Sequence, residues 1–240
     1  MNLLAIDSAT DKLSVAITQG EEKPEKWLFE ADAGLRHSEL AMDIIDILVK
    51  KANLKPEMLS GIVCMGGPGS FTGLRIGFSV AKGIALSLGI PFAAIPTLDC
   101  IAWPFSALPA MVIPVIDAKK KSFFCAFYRS GKRLCPDMDA ASDEIARAFS
   151  DATGYVMGAS MPPEEKPAGQ ALLVGPGADL LYEQLKDKIP GITSGQKLRY
   201  GNAAILLEIA KETNIFANNA NNYSIGPEYI RKSDAELAQL

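Results

Sequence analysis

A chain of 240 residues, 48% hydrophobic and 22% charged, can bury one large core or two lobes. A formal net charge of −4 argues against binding nucleic acid alone, which needs a concentrated positive field. The single histidine, His37, excludes H-x-x-x-H and H-E-x-x-H metal motifs and the zinc proteases that use them.

In chain order, residues 1–7 lack the basic start of a signal peptide and reach Asp7 too early for one. No stretch is read as reaching the roughly 18 apolar residues of a membrane span. Cys64, Cys100, Cys125 and Cys135 form no C-x-x-C pair and are read as reduced, mostly buried thiols. A cytoplasmic protein is expected. Leu3 to Ile6 is an apolar run, Asp7 to Lys12 is polar, and Leu13, Val15 and Ile17 then alternate with Ser14, Ala16 and Thr18. That pattern is a β-hairpin.

A first helix is expected over about residues 38–52, with Leu40, Ile44, Ile47 and Leu48 as its buried stripe. Met42, Ile45 and Val49 make a second apolar row, which calls for deeper burial or a partner surface. A second helix is expected over about residues 72–88. Gly73, Gly77, Ala81 and Ala85 recur every four positions beside Ile76, Val80 and Ile84, and only Arg75, Ser79 and Lys82 keep a polar edge. Glycines inside a helix each cost up to about 1 kcal/mol relative to alanine. Tight packing compensates, either on the chain's own sheet or on another subunit.

The glycine segment from Gly66 to Gly73 joins a strand to this helix. Backbone N–H groups there, with the hydroxyls of Ser70 and Thr72, suit an anion, although the sequence is neither a P-loop nor G-x-G-x-x-G. The other reading is a structural turn with Ser70 or Thr72 as N-cap. Asp7, Ser8, Thr10, Gly69, Ser70 and Thr72 together form the candidate phosphate site, reduced by the lack of any glycine in the turn after Asp7.

Displaced by 110 positions, the hairpin returns: Ile113, Val115, Ile116 and Asp117 fall opposite Leu3, Ala5, Ile6 and Asp7. Basic residues follow, Lys119/Lys120/Lys121 and Arg129/Lys132/Arg133, read either as solvated turns or as an aid to RNA binding beside a partner. The Pro-Gly of 176–177 repeats that of 68–69, also between a strand and a helix. The chain is therefore read as a duplicated α/β fold of actin-like, ribonuclease H-like type, with mixed sheets flanked by helices. The N-terminal lobe is 1–97, completed by 216–240, and the C-terminal lobe is 98–215. Within the latter, 202–213 reads as a helix. Segments 160–169 and 218–222 read as loops, and Ser233 with Glu236 as a capping box.

The run from Gly67 to Gly77 (GPGSFTGLRIG), Arg36-His37-Ser38-Glu39, Asp117-Ala118-Lys119, and Pro227-Glu228-Tyr229-Ile230-Arg231 followed by Ala235-Glu236 together resemble the bacterial TsaB (YeaZ) family. The resemblance implies a non-catalytic subunit that heterodimerises with TsaD for threonylcarbamoylation of tRNA adenosine. TsaE, an ATPase, joins the complex, and tRNA is reached only through it. It implies an interface on the first two helices, here His37, Met42, Ile45, Val49, Gly73, Arg75, Ile76, Gly77, Val80, Ala81 and Ile84, which could also make a homodimer. His37 is read either as packing at the helix start or as an interface contact. No cofactor is required, and weak ATP or ADP binding at the complex interface stays open. So does the alternative of an actin-fold ATPase or phosphotransferase. The M22 glycoprotease label attached to relatives is not taken to mean proteolysis.

Overall fold

The structure is a computed structural model and describes residues 1–20, 25–153, 171–189, 191–195, 202–219 and 223–231. Two compact units are present: Met1–Cys100 with Tyr200–Leu240, and Ile101–Arg199.

The first unit opens with an antiparallel meander, β1 (Leu3–Asp7), β2 (Lys12–Gln19) and β3 (Glu25–Asp32). Then come α1 (His37–Lys51), β4 (Gly61–Met65), α2 (Phe71–Leu88) and β5 (Phe92–Ile95). The sheet order is β3-β2-β1-β4-β5, with β4 parallel to β1 and β5 parallel to β4. Residues 3–6 of β1 are all buried, as expected of a central strand covered on both faces. Leu4 and Ile6 join Leu13, Val15 and Ile17 in the core closed by α1 and α2. Alternation sends Leu3 and Ala5 to the opposite face.

After α3 (Thr97–Ala102), the second unit repeats the plan with β6 (Met111–Asp117), β7 (Phe123–Cys125), the short hairpin β8 (Tyr128–Arg129) and β9 (Lys132–Arg133), and β10 (Met138–Ala140). Next are α4 (Ser142–Thr153), β11 (Ala171–Val174), α5 (Ala178–Leu185) and β12 (Thr193–Ser194). Its order, β10-β7-β6-β11-β12, is again third, second, first, fourth, fifth, with the same strand directions. The duplicated actin-like plan expected from the 110-residue offset is thus present in the topology.

Finally α6 (Ala203–Glu212) and α7 (Ile215–Asn219) return to the first unit. The lobe division drawn from sequence, 98–215 as one lobe, is replaced here by 101–199. Ala203, Leu206, Leu207 and Ala210 of α6 are buried, and the helix packs on β1, β2 and β4. The first sheet has a second apolar face, and α6 covers it. The loop expected at 218–222 is helical to Asn219. The remainder of it, the loop at 160–169 and the capping box at 233–236 lie outside the described residues.

The buried stripe of α1 is turned from the one expected. Ile47 is 50% exposed, whereas Ile45 and Val49 are sealed with Ile44 and Leu48, because α1 sits against β2, β3 and α2 together. Contrary to expectation, α2 is by length and composition apolar enough to cross a membrane. In this fold its inner face, Leu74, Phe78, Ala81 and Ala85, closes on the sheet. The four cysteines are free thiols, buried except for Cys135, and burial pushes the Cys64, Cys100 and Cys125 thiols well up.

The two glycines at opposite sides of α2 differ in what surrounds them. A Cβ at Gly73 would lie 1.9 Å from the Ser8 carbonyl oxygen, while one at Gly83 would meet nothing within 4 Å. Gly73→Ala should therefore lower unfolding free energy by about 2 kcal/mol or more through overpacking. Gly83→Ala should raise it by up to about 1 kcal/mol through helix propensity. Urea denaturation of the two variants beside the parent checks both signs.

Candidate functional site

The candidate site is built where the β1–β2 turn meets the glycine segment and the first turns of α2. Asp7 ends β1 on the face that α6 covers. Its Oδ1 accepts from the Ala9 N–H at 3.0 Å, closing an Asx turn, and its Oδ2 accepts from the Asn202 N–H at 2.7 Å. Asn202 is the N-cap of α6, so the carboxylate also sits at the positive end of that helix. Burial pushes the Asp7 carboxyl above its ordinary value; the hydrogen bonds from Asn202 and Ala9 and the nearby His37 oppose this without cancelling it.

Asp117, at the matching point of the second unit, makes the same turn, with Oδ1 accepting from the Lys119 N–H at 2.8 Å. There burial is the largest single influence and pushes upward, but the Lys119 side chain, 2.9 Å from Oδ2, the Lys119 backbone N–H and the lysine charge together outweigh it and hold the carboxyl below its ordinary range. Backbone at Lys119, Lys120 and Lys121 is left-handed, with φ of 60°, 51° and 64°.

Ser8 is buried and donates its hydroxyl hydrogen to the Gly73 carbonyl at 2.8 Å. The Ser70 N–H donates to the Ala9 carbonyl at 2.7 Å, and the Ser70 hydroxyl accepts from the Gly73 N–H as N-cap of α2. Thr10 Oγ1 accepts from the Lys12 N–H at 3.3 Å, Gly69 is half-buried, and Thr72 is exposed. The turn and the glycine segment are therefore bonded to each other. Both Asp7 oxygens and the Ser8 hydroxyl are engaged, and the Gly69 and Gly73 Cβ positions fall 2.5 and 1.9 Å from turn carbonyl oxygens. The residues gathered as a phosphate site do not fit a nucleotide phosphate or its magnesium in this arrangement, because backbone fills the cradle.

The expected interface residues separate into two groups. Ile45, Val49, Gly73, Gly77, Ala81 and His37 are buried within this chain, which corrects their assignment to a partner surface. The glycine row is the seat of Ser8, whose hydroxyl oxygen would stand 2.5 Å from a Cβ at Gly77. His37 donates from Nε2 to the Lys12 carbonyl at 3.2 Å, tying the start of α1 to the hairpin. Met42, 51% exposed, and Arg75 remain outside, with Ile76, Val80 and Ile84 half-covered.

Sequence reasoning missed two features. One is an exposed row on α2 at spacing four, Arg75, Ser79, Gly83 and Ser87. Its spacing was legible, but the Gly73 row has the same period and more glycine. The other is a cluster joining α2 to the C-terminal segment. Arg75 Cζ lies 3.9 Å from the Phe71 ring centroid, Arg75 Nε donates to the Tyr229 hydroxyl at 3.0 Å, and the Phe71 and Tyr229 rings are 4.7 Å apart. No pattern in the sequence links positions so far apart.

The raised Asp7 pKa gives a signed pH dependence. As pH falls, the folded chain takes up this proton before the unfolded chain does, so the contribution of Asp7 to stability is greatest below its unfolded pKa and is lost as pH rises through the folded one. Stability of the parent relative to Asp7→Asn should thus improve from pH 7 towards pH 4, as read by urea unfolding across that range.

Residues 31–239 match the family model described as TsaD, tRNA N6-adenosine threonylcarbamoyltransferase. The chain is 31% identical over 129 residues to the tRNA threonylcarbamoyladenosine biosynthesis protein TsaB of Bacillus subtilis, covering 54% of this chain and 56% of the relative. It is 29% identical over 133 residues to TsaB of Escherichia coli, covering 54% and 55%. The alignments thus span about half the length of these curated relatives. Among solved structures, YeaZ from Pseudomonas aeruginosa superposes with a TM-score of 0.71 at 19% identity, covering 95% of this chain and 99% of YeaZ, which shows a shared fold. The chain belongs to the family described by the TsaD model.

Proposed function

We propose that this chain is a non-catalytic subunit that docks through α1 and α2 on a TsaD-like catalytic subunit and supports threonylcarbamoylation of tRNA adenosine. Gly83 carries the reading. It lies in the middle of an 18-residue helix, exposed, with open space where its side chain would be. A glycine there costs helix stability, and no neighbour among the described residues calls for it. Between Ser79 and Ser87 it leaves a shallow track along which a second helix backbone can approach closely. Apolar side chains of α2 flank that track: Ile76, Val80 and Ile84 are half-covered and Leu86 is 57% exposed, while on α1 Met42 is 51% exposed. Such a surface gains from burial against a partner.

The names of the relatives support the pathway, since the B. subtilis and E. coli proteins are described as acting in tRNA threonylcarbamoyladenosine biosynthesis. A net charge of −4 fits a subunit that meets tRNA through its complex. A TsaE-like ATPase belongs to the same proposed assembly, and the isolated chain uses the same face for self-association. No cofactor is assigned to the chain itself, because Asp7 and Ser8 are engaged internally. The same engagement weighs against independent ATPase or phosphotransferase activity.

Gly83→Leu places a side chain in open space, so folding should be preserved while affinity for the TsaD-like subunit falls at least about tenfold. Titration calorimetry with the purified subunit measures this, and unchanged affinity would refute the docking face. Calorimetry of the isolated chain with Mg-ATP should give no submillimolar binding. Such binding, lost in Asp7→Ala, would instead favour the nucleotide reading.

A further inference from the structure

We propose that Arg75 is a preorganised carboxylate receptor at the N-terminal end of the α2 track, reading an acidic side chain on the helix that docks there. The inference rests on the docking role proposed for α2 and names the chemistry that selects the partner.

Three observations carry it. First, Arg75 is exposed and stands four residues before Ser79, so it opens the same row as Gly83. Secondly, its guanidinium is already held in place. It stacks on Phe71 at 3.9 Å, lies 5.7 Å from the Tyr229 ring centroid, and is fixed through Nε to the Tyr229 hydroxyl at 3.0 Å. Tyr229 is itself anchored, because the adjacent Glu228 N–H donates to the Gly66 carbonyl at 2.8 Å, while Tyr223 farther back donates its hydroxyl hydrogen to the Ile90 carbonyl at 2.8 Å. The stretch from Tyr223 to Tyr229 thus runs along the flank of α2 and supplies one side of the arginine's seat. Thirdly, among the described residues no carboxylate pairs with Arg75. Elsewhere basic side chains find one, as in Arg133–Asp137, Lys50–Asp46 and Lys188–Asp143.

Ordering a long side chain is a main cost of forming an interfacial ion pair. Here the chain bears that cost before any partner arrives. With Nε engaged, the Nη hydrogens keep the planar fork that matches a carboxylate in bidentate fashion. A lysine has neither the fork nor the stacking plane. The tyrosine hydroxyl is a positioning group, since it acts only through Arg75.

The test measures affinity for the TsaD-like subunit, by titration calorimetry at two salt concentrations, for Arg75→Gln, Arg75→Lys, Tyr229→Phe and Gly83→Leu, each first shown to be folded by a cooperative thermal transition when alone. Arg75→Gln should weaken binding about thirtyfold and flatten its salt dependence. Arg75→Lys should recover little of the loss, and Tyr229→Phe should weaken binding by about three- to tenfold. If Gly83→Leu weakens binding but Arg75→Gln does not, the receptor is overturned while the docking face stands. Should neither variant matter, both fall. If Arg75→Lys matches the parent, the fork is overturned in favour of plain charge. If Arg75→Gln spares subunit affinity but weakens tRNA binding by the assembled complex, the arginine serves a phosphate, and the proposal is also overturned.

Discussion

The first unit depends on one close approach, that of the β1–β2 turn to the start of α2. Ser8 presses its backbone carbonyl to where Gly73 would carry a side chain and its hydroxyl to Gly77, donating to the Gly73 carbonyl on the way. Only hydrogen at those two helix positions permits the contact. Once made, it fixes the azimuth of α2, and the rest of the helix surface follows: Leu74, Phe78, Ala81 and Ala85 turn inward, while Arg75, Ser79, Gly83 and Ser87 turn outward.

The same contact decides the chemistry of the turn. A strand-ending aspartate followed by serine and threonine suits a phosphate when its backbone is open. Here the glycine segment lies in that opening, Asp7 serves Ala9 and the start of α6, and His37 fastens α1 to Lys12. A polar cluster with the look of a site acts as the joint that holds two helices and a hairpin together. The second unit shows the related geometry with a different outcome: Asp117 keeps the Asx turn but is half-exposed and paired with Lys119.

The outer surface of α2 is only partly used by the described residues: Val80 and Ile84 pack against the core, and Arg75 seats Tyr229, but Gly83 meets nothing. A mid-helix glycine facing open space, apolar side chains half-covered beside it and an arginine held by two aromatic rings form the surface on which the proposed docking rests. The burial of Ile45, Val49, Gly77 and Ala81 moves the candidate face by part of a turn but leaves it on the same two helices. In the proposed docking, the partner reads the side of α2 opposite the one that meets Ser8.

Local pattern alone determined several of the elements. The hairpins, the 110-residue offset between Asp7 and Asp117, the helix expected at 38–52 and found at His37–Lys51, and that expected at 72–88 and found at Phe71–Leu88 all follow from periodicity and turn chemistry over short spans. Tertiary structure alone decided which of two rows of small residues on α2 is inside, because both have spacing four and the choice belongs to Ser8, 65 residues away. It also decided that α6 belongs to the first sheet and that Asp7 is a structural acceptor, since its partner Asn202 lies 195 positions along the chain. Contacts at such separations leave no period in a single sequence; they exist only when the chain has closed on itself.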